Sequence, residues 1–134
     1  MKNITTLIIS TLFIATFGFG QPSFYAHTIT TSADWATSVY ATDVNSDGYM
    51  DILSTSRNDN KIIWYENNDF QNFTSHIISD SGNVPNSVYA IDIDNDNDID
   101  VLSSFLLSDK ITWYENDGSQ NFTAHIITSN ADRP

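Results

Sequence analysis

The β-branched and aromatic residues of the chain gather in short runs separated by polar turn-forming residues. Between residues 38 and 79 there are four such runs: Val39–Val44, Met50–Thr55, Lys61–Glu66 and Phe73–Ile78. The breaks between them read Asn45-Ser46-Asp47-Gly48, Arg57-Asn58-Asp59-Asn60 and Asn67-Asn68-Asp69, residues whose side chains and backbones suit tight turns. Runs of this length with such breaks have strand spacing, not helix spacing. They predict four antiparallel strands joined by short connections.

The same pattern then recurs without a gap. His27, His76 and His125 are spaced 76 − 27 = 49 and 125 − 76 = 49, and Asp43/Asp92, Asp51/Asp100 and Trp64/Trp113 share that offset. Ser-Val-Tyr-Ala occurs at 38–41 and 87–90, Trp-Tyr-Glu-Asn at 64–67 and 113–116, and Gln-Asn-Phe-Thr at 71–74 and 120–123. A period of 49 with four strands per unit fits a propeller blade and is too long for a β-solenoid coil. The expected fold is therefore all-β, a partial β-propeller with blades at 38–79 and 87–128. An orphan strand at 23–29 matches the fourth strand of a unit, and an inter-blade tail occupies 129–134. Propellers close with roughly 4 to 8 blades, so two blades leave a ring open. Either further C-terminal blades or self-association is expected to complete it.

These units resemble the FG-GAP or VCBS repeats of integrin α-chain propellers and of many secreted bacterial proteins. The residues that carry the resemblance are Asp43-Val44-Asn45-Ser46-Asp47-Gly48-Tyr49-Met50-Asp51, Ile52-Leu53-Ser54 and Lys61 to Asn67, repeated at Asp92 to Asp100, Val101-Leu102-Ser103 and Lys110 to Asn116. The resemblance implies a ring that usually has seven blades, and a role in binding or adhesion without catalysis.

The acidic loop carries the candidate chemistry. Calcium takes six to eight oxygen ligands, which a loop supplies by alternating carboxylates with a backbone carbonyl. Asp43, Asn45 and Asp47 stand at positions 1, 3 and 5, Gly48 permits the sharp turn at 6, Tyr49 offers its carbonyl at 7, and Asp51 follows at 9. An EF-hand would need its last acidic ligand at position 12, where Ser54 and Ser103 stand. Position 9 matches the hairpin calcium loop that the resemblance implies. The second loop offers Asp92, Asp94, Asp96, the carbonyl of Asp98, and Asp100, with Asn97 where glycine is expected. The expectation is two Ca2+ sites that brace the fold, with magnesium disfavoured because it demands a rigid octahedron and keeps its waters.

Composition narrows the partners. Five Lys and Arg stand against 17 Asp and Glu, a formal charge of −12, which argues against nucleic acid and anionic membranes. An apolar fraction of 40% with 13% aromatics is too high for a disordered acidic tail. With no cysteine, neither disulfides nor thiolate sites can hold the chain together. Residues 1–20 have the layout of a secretory signal, with Lys2, an apolar stretch from Leu7 to Phe19, and small residues before Gln21. The expected product is secreted, extracellular or on the cell surface, or periplasmic, with no membrane span after signal cleavage.

Other residues offer less. The histidines and the two Trp-Tyr pairs recur at one place per unit, which favours packing over catalysis or sugar stacking. Asn72-Phe73-Thr74 and Asn121-Phe122-Thr123 match a glycosylation pattern but also suit turns. Trp35 has no aromatic counterpart, so Asp34 and Trp35 form a weak candidate patch for ligand binding on an exposed loop. No arrangement of Ser, His and Asp, no phosphate-cradling glycine loop and no thiol nucleophile is present. The chain reads as a non-catalytic module that binds an extracellular protein or glycan. The rival readings are an accessory propeller portion of a larger secreted carbohydrate-active enzyme, or a truncated gene product.

Overall fold

A computed structural model of the chain describes residues 23–69 and 71–134. The signal-like segment lies outside the described residues. Eight strands follow one another: β1 Ala36–Thr42, β2 Asp51–Ser56, β3 Lys61–Asn67, β4 Phe73–Ser79, β5 Pro85–Ile91, β6 Asp100–Phe105, β7 Lys110–Asn116 and β8 Phe122–Thr128. They form two four-stranded antiparallel sheets in the orders β1-β2-β3-β4 and β5-β6-β7-β8, here blade 1 and blade 2. The architecture is all-β, a partial and unclosed propeller.

The repeat extends into details that residue types alone do not report. Leu53 pairs with Trp64 and Leu102 with Trp113. The register shifts between Ala36 and Ser38 and between Ile62 and Ile63 recur at Pro85/Ser87 and Ile111/Thr112. Irregularities repeated at one offset are built into the fold, each twisting its strand locally. Each blade begins slightly before its expected first residue, because Trp35 and Val84 take left-handed backbone geometry with φ of 57° and 60° and turn the chain into the first strand. Their carbonyls accept the N–H of Arg57 and Leu106, each at 2.9 Å.

One expected element is absent. Residues 23–29 form exposed irregular chain and not a strand, a correction to the orphan strand expected there. A fourth strand is held by the edge of a third, as β4 is by β3 and β8 by β7, and both described third strands already carry their partner. His27 consequently lies exposed in this segment and is not strand-bound like His76 and His125.

The core sits between the blades. Leu53, Ile62 and Trp64 of blade 1 form one cluster with Val88, Ala90, Val101 and Tyr114 of blade 2. Period-2 alternation turns each set to a single face of its sheet, and burying each large apolar side chain contributes about 1.5–3 kcal/mol. Polar contacts fix the relative position. Thr37 Oγ1 donates to the Pro85 carbonyl at 3.1 Å, the Val84 N–H donates to Asn60 Oδ1 at 3.0 Å, and the Val88 N–H donates to Ser38 Oγ at 3.3 Å. Burial pushes the Tyr114 phenol above its ordinary 10.0, opposed by a hydrogen bond to Ser79 of β4. Among the described residues no helix is long and apolar enough to cross a membrane.

Candidate metal centre

The two acidic loops join β1 to β2 and β5 to β6, at the same end of the two sheets. Their carboxylates fold back on their own backbone. In blade 1, Asp43 accepts the Asp47 N–H at 3.1 Å and the Gly48 N–H at 2.9 Å, and Asp47 accepts the Tyr49 N–H at 2.8 Å. In blade 2, Asp92 accepts the N–H groups of Asn95 at 2.7 Å and Asn97 at 3.1 Å, while Asp96 accepts that of Asp98 at 2.9 Å. Carboxylates that bond to nearby main-chain N–H groups make the tight turn that an isolated loop would not keep. Asn97 adopts φ 76°, the left-handed geometry that Gly48 takes at 90°, so Asn replaces Gly without losing the turn.

The last ligand candidate of each loop has a second task. Asp51 and Asp100 are fully buried. Asp51 accepts the Val44 N–H at 3.0 Å inside the loop and the Asn67 N–H at 2.8 Å from the end of β3. Asp100 does the same with Ile93 at 3.0 Å and Asn116 at 2.9 Å. Each carboxylate therefore locks its loop to the neighbouring strand.

Convergence differs between the loops. One carboxylate oxygen from each of Asp92, Asp94 and Asp100 lies within 4.8 Å of the others. Two ligands each up to about 2.6 Å from a calcium ion can stand no more than about 5.2 Å apart, so this triad fits one ion. Its all-oxygen character suits a hard cation. Lost hydration raises the Asp94 carboxyl above its ordinary 3.8, and the charges of Asp96, Asp100 and Glu115 add to this against a bond from the Asp96 backbone. A cation among these oxygens would remove that repulsion. The Asp96 and Asp98 carboxylates lie outside the triad; that of Asp98 lies against Gly118, where an added Cβ would stand 2.6 Å from its Oδ2.

Blade 1 forms no such acidic triad among the described residues, because Asn45 stands where blade 2 has Asp94. The Asn45 amide donates to Asp47 Oδ2 at 3.0 Å and to Glu66 Oε1 at 3.2 Å. The sequence ranks the first loop ahead for its glycine, whereas the geometry puts the stronger acidic cluster in the second. Tyr49 is 43% exposed and is held in the loop through its N–H to Asp47.

Sequence reasoning missed the supporting residues. His76 Nε2 bonds Glu66 Oε2 at 2.8 Å and stacks on Trp64 with ring centroids 4.5 Å apart. His125 meets Glu115 at 2.6 Å and lies 4.8 Å from Trp113. The repeated Trp-Tyr-Glu-Asn run signalled these positions, but not that its Glu and Asn reach the acidic loop.

Asp34 and Trp35 sit at the opposite end of the strands, beside the β2–β3 turn. The Asp34 N–H donates to Asp59 Oδ2 at 2.8 Å, and the Arg57 guanidinium lies 5.3 Å from the centre of the exposed Trp35 ring. The two residues adjoin one another but do not join the acidic loops.

Compared with known proteins, residues 43–103 match the family model of an FG-GAP-like repeat. That stretch runs from the first acidic loop through the second and into β6, and it is an FG-GAP-like repeat. No curated protein and no solved structure matches the chain.

Proposed function

We propose, from an FG-GAP-like repeat whose acidic loops are tied to the blade framework, that this chain is a secreted, non-catalytic binding module braced by calcium. The observation that carries the metal reading is the convergence of Asp92, Asp94 and Asp100. Asp92, Asp94 and Asp100 would hold the ion, helped by the Asp98 carbonyl. In the first loop Asp43, Asn45, Asp47, the Tyr49 carbonyl and Asp51 would do so. Calcium would supply electrostatic compensation for carboxylates packed at short range, and with it loop rigidity.

The binding role is supported by what the chain is built from. Two rigid sheets present loops at both ends, and the residues best placed for acid–base work are committed to backbone bonds within their loops. An extracellular protein or glycan is the partner class, in keeping with a net charge of −12, which repels polyanions. The signal-like residues 1–20 support export.

Calorimetric titration of the full chain with calcium tests the metal reading. Binding is expected, with the tighter site lost in Asp94→Asn and the weaker one in Asp47→Asn. Absence of calcium-dependent heat at millimolar calcium overturns it.

A further inference from the structure

The 49-residue offset makes each blade a control for the other wherever the same residue stands in the same register, since such a pair differs only in what lies against it. On the face that blade 2 turns towards blade 1, Val88, Ala90, Val101 and Tyr114 are all buried. Of their counterparts in blade 1, Val39 is 70% exposed, Ala41 is exposed and Ile52 is half-buried, while Tyr65 is as buried as Tyr114. The opposite face reverses this order. Leu53, Ile62 and Trp64 are buried in blade 1, whereas Leu102, Ile111 and Trp113 are half-buried and Ile127 is 58% exposed in blade 2. Among the described residues the two outer blade faces are therefore different apolar patches, and each has its partner inside the same chain.

The open face of blade 1 carries a groove of about 200 Å³ whose walls include Ile29, Val39, Ile52 and Tyr65. The residues 49 positions on, Ile78, Val88, Val101 and Tyr114, belong to or pack on the cluster that Leu53, Ile62 and Trp64 complete. We infer that a second copy of this chain docks head to tail, with Leu102, Ile111 and Trp113 of one copy entering the groove at Val39, Ile52 and Tyr65 of the next. The occupant is named by identity across the offset. Leu, Ile and Trp meet Val and Tyr in both cases, with only Ile52 in place of Val101. The contact continues an interface that the chain already makes within itself.

Because the two faces are different patches, the association is heterologous and proceeds until the rotation closes a ring. Propellers close with roughly 4 to 8 blades, so two to four copies complete one. This inference rests on the apolar sheet faces and not on the loop carboxylates, so calcium titration of the same variants separates its failure from that of the metal reading.

Sedimentation velocity with light scattering on the full chain tests it, using Trp113→Arg on one face and Val39→Arg on the other. Val39 and Trp113 both stand outside the inter-blade core cluster. Leu102→Arg replaces Trp113→Arg if circular dichroism shows that variant to be unfolded. The wild type is expected to form one closed species of two to four copies. Each variant alone is expected to be monomeric, with its dissociation constant raised at least ~100-fold. An equimolar mixture is expected to give a dimer and nothing larger, since each variant contributes one intact face. A wild type that stays monomeric up to ~100 µM, variants that associate as the wild type does, or a mixture that stays monomeric would each overturn the inference. The second of these results would transfer the association to another surface.

Discussion

The fully buried carboxylate of Asp51 accepts the main-chain N–H of Asn67, 16 residues away, at 2.8 Å. Asp100 and Asn116 repeat the bond at 2.9 Å. A residue that the loop pattern marks as a metal ligand is thereby also the pin that joins loop to sheet. Asp51→Asn replaces one accepting oxygen with an amide donor facing an N–H, which costs about 1–3 kcal/mol for a buried unsatisfied group. Urea denaturation in excess chelator is expected to show that loss. If the variant matches the wild type without calcium, the carboxylate acts only through the metal.

Calcium removal should lower stability through mass action. At calcium tenfold above its dissociation constant, one site adds about 1.4 kcal/mol. Chelation is therefore expected to lower the melting temperature, and Asp94→Asn is expected to abolish the part due to the second loop. An unchanged melt in excess chelator contradicts a stabilising ion.

Trp64 and Trp113 occupy the same register and differ in cover, with Trp64 only 3% exposed in the inter-blade core. Trp64→Ala is expected to cost about 3–5 kcal/mol, and Trp113→Ala clearly less, when both are measured under conditions where the chain is monomeric. Equal losses would mean that each blade is stable without its neighbour.

Gly82 is required by Phe105. A Cβ at residue 82 would lie 2.0 Å from the Phe105 ring, and blade 1 has Ala33 and Ser56 at the corresponding positions. Gly82→Ala is expected to destabilise by about 1–3 kcal/mol through overpacking. In a Phe105→Ser background the same change should cost at least ~0.5 kcal/mol less. Additive chemical-denaturation energies would show that the ring moves aside freely.

Acid sensitivity should trace partly to Asp117. The Asn121 side chain, with the N–H groups of Ser119 and Asn121, holds its carboxyl below the ordinary 3.8. The folded state therefore favours the ionised form. Its contribution is fully present above the unfolded value of 3.8 and is lost as pH falls through the lower folded value. Asp117→Asn is expected to reduce the fall in urea midpoint on that acid limb and to leave the slope near neutrality unchanged.

Much of this molecule is legible in its residues because strand alternation and turn chemistry are local. The offset of 49 located both blades, and the Asp spacing located both loops. The orphan strand at 23–29 failed because its pattern, although copied from β4, has no third strand to pair with in the described residues. The left-handed Asn97 was readable from residue type, whereas the reach of Glu66 to Asn45 across 21 positions was not.

By itself the sequence determined the period, the strands and turns within it and the oxygen-rich character of the loops, since each depends on neighbours a few residues away. Only the tertiary structure decided that Asp92, Asp94 and Asp100 converge while Asp96 stays outside their triad, and that Leu53 and Trp64 lie in a core while Leu102 and Trp113 stay half-open. Identical residues acquire different burial and different partners because packing depends on what occupies the facing surface, which the repeat itself does not encode.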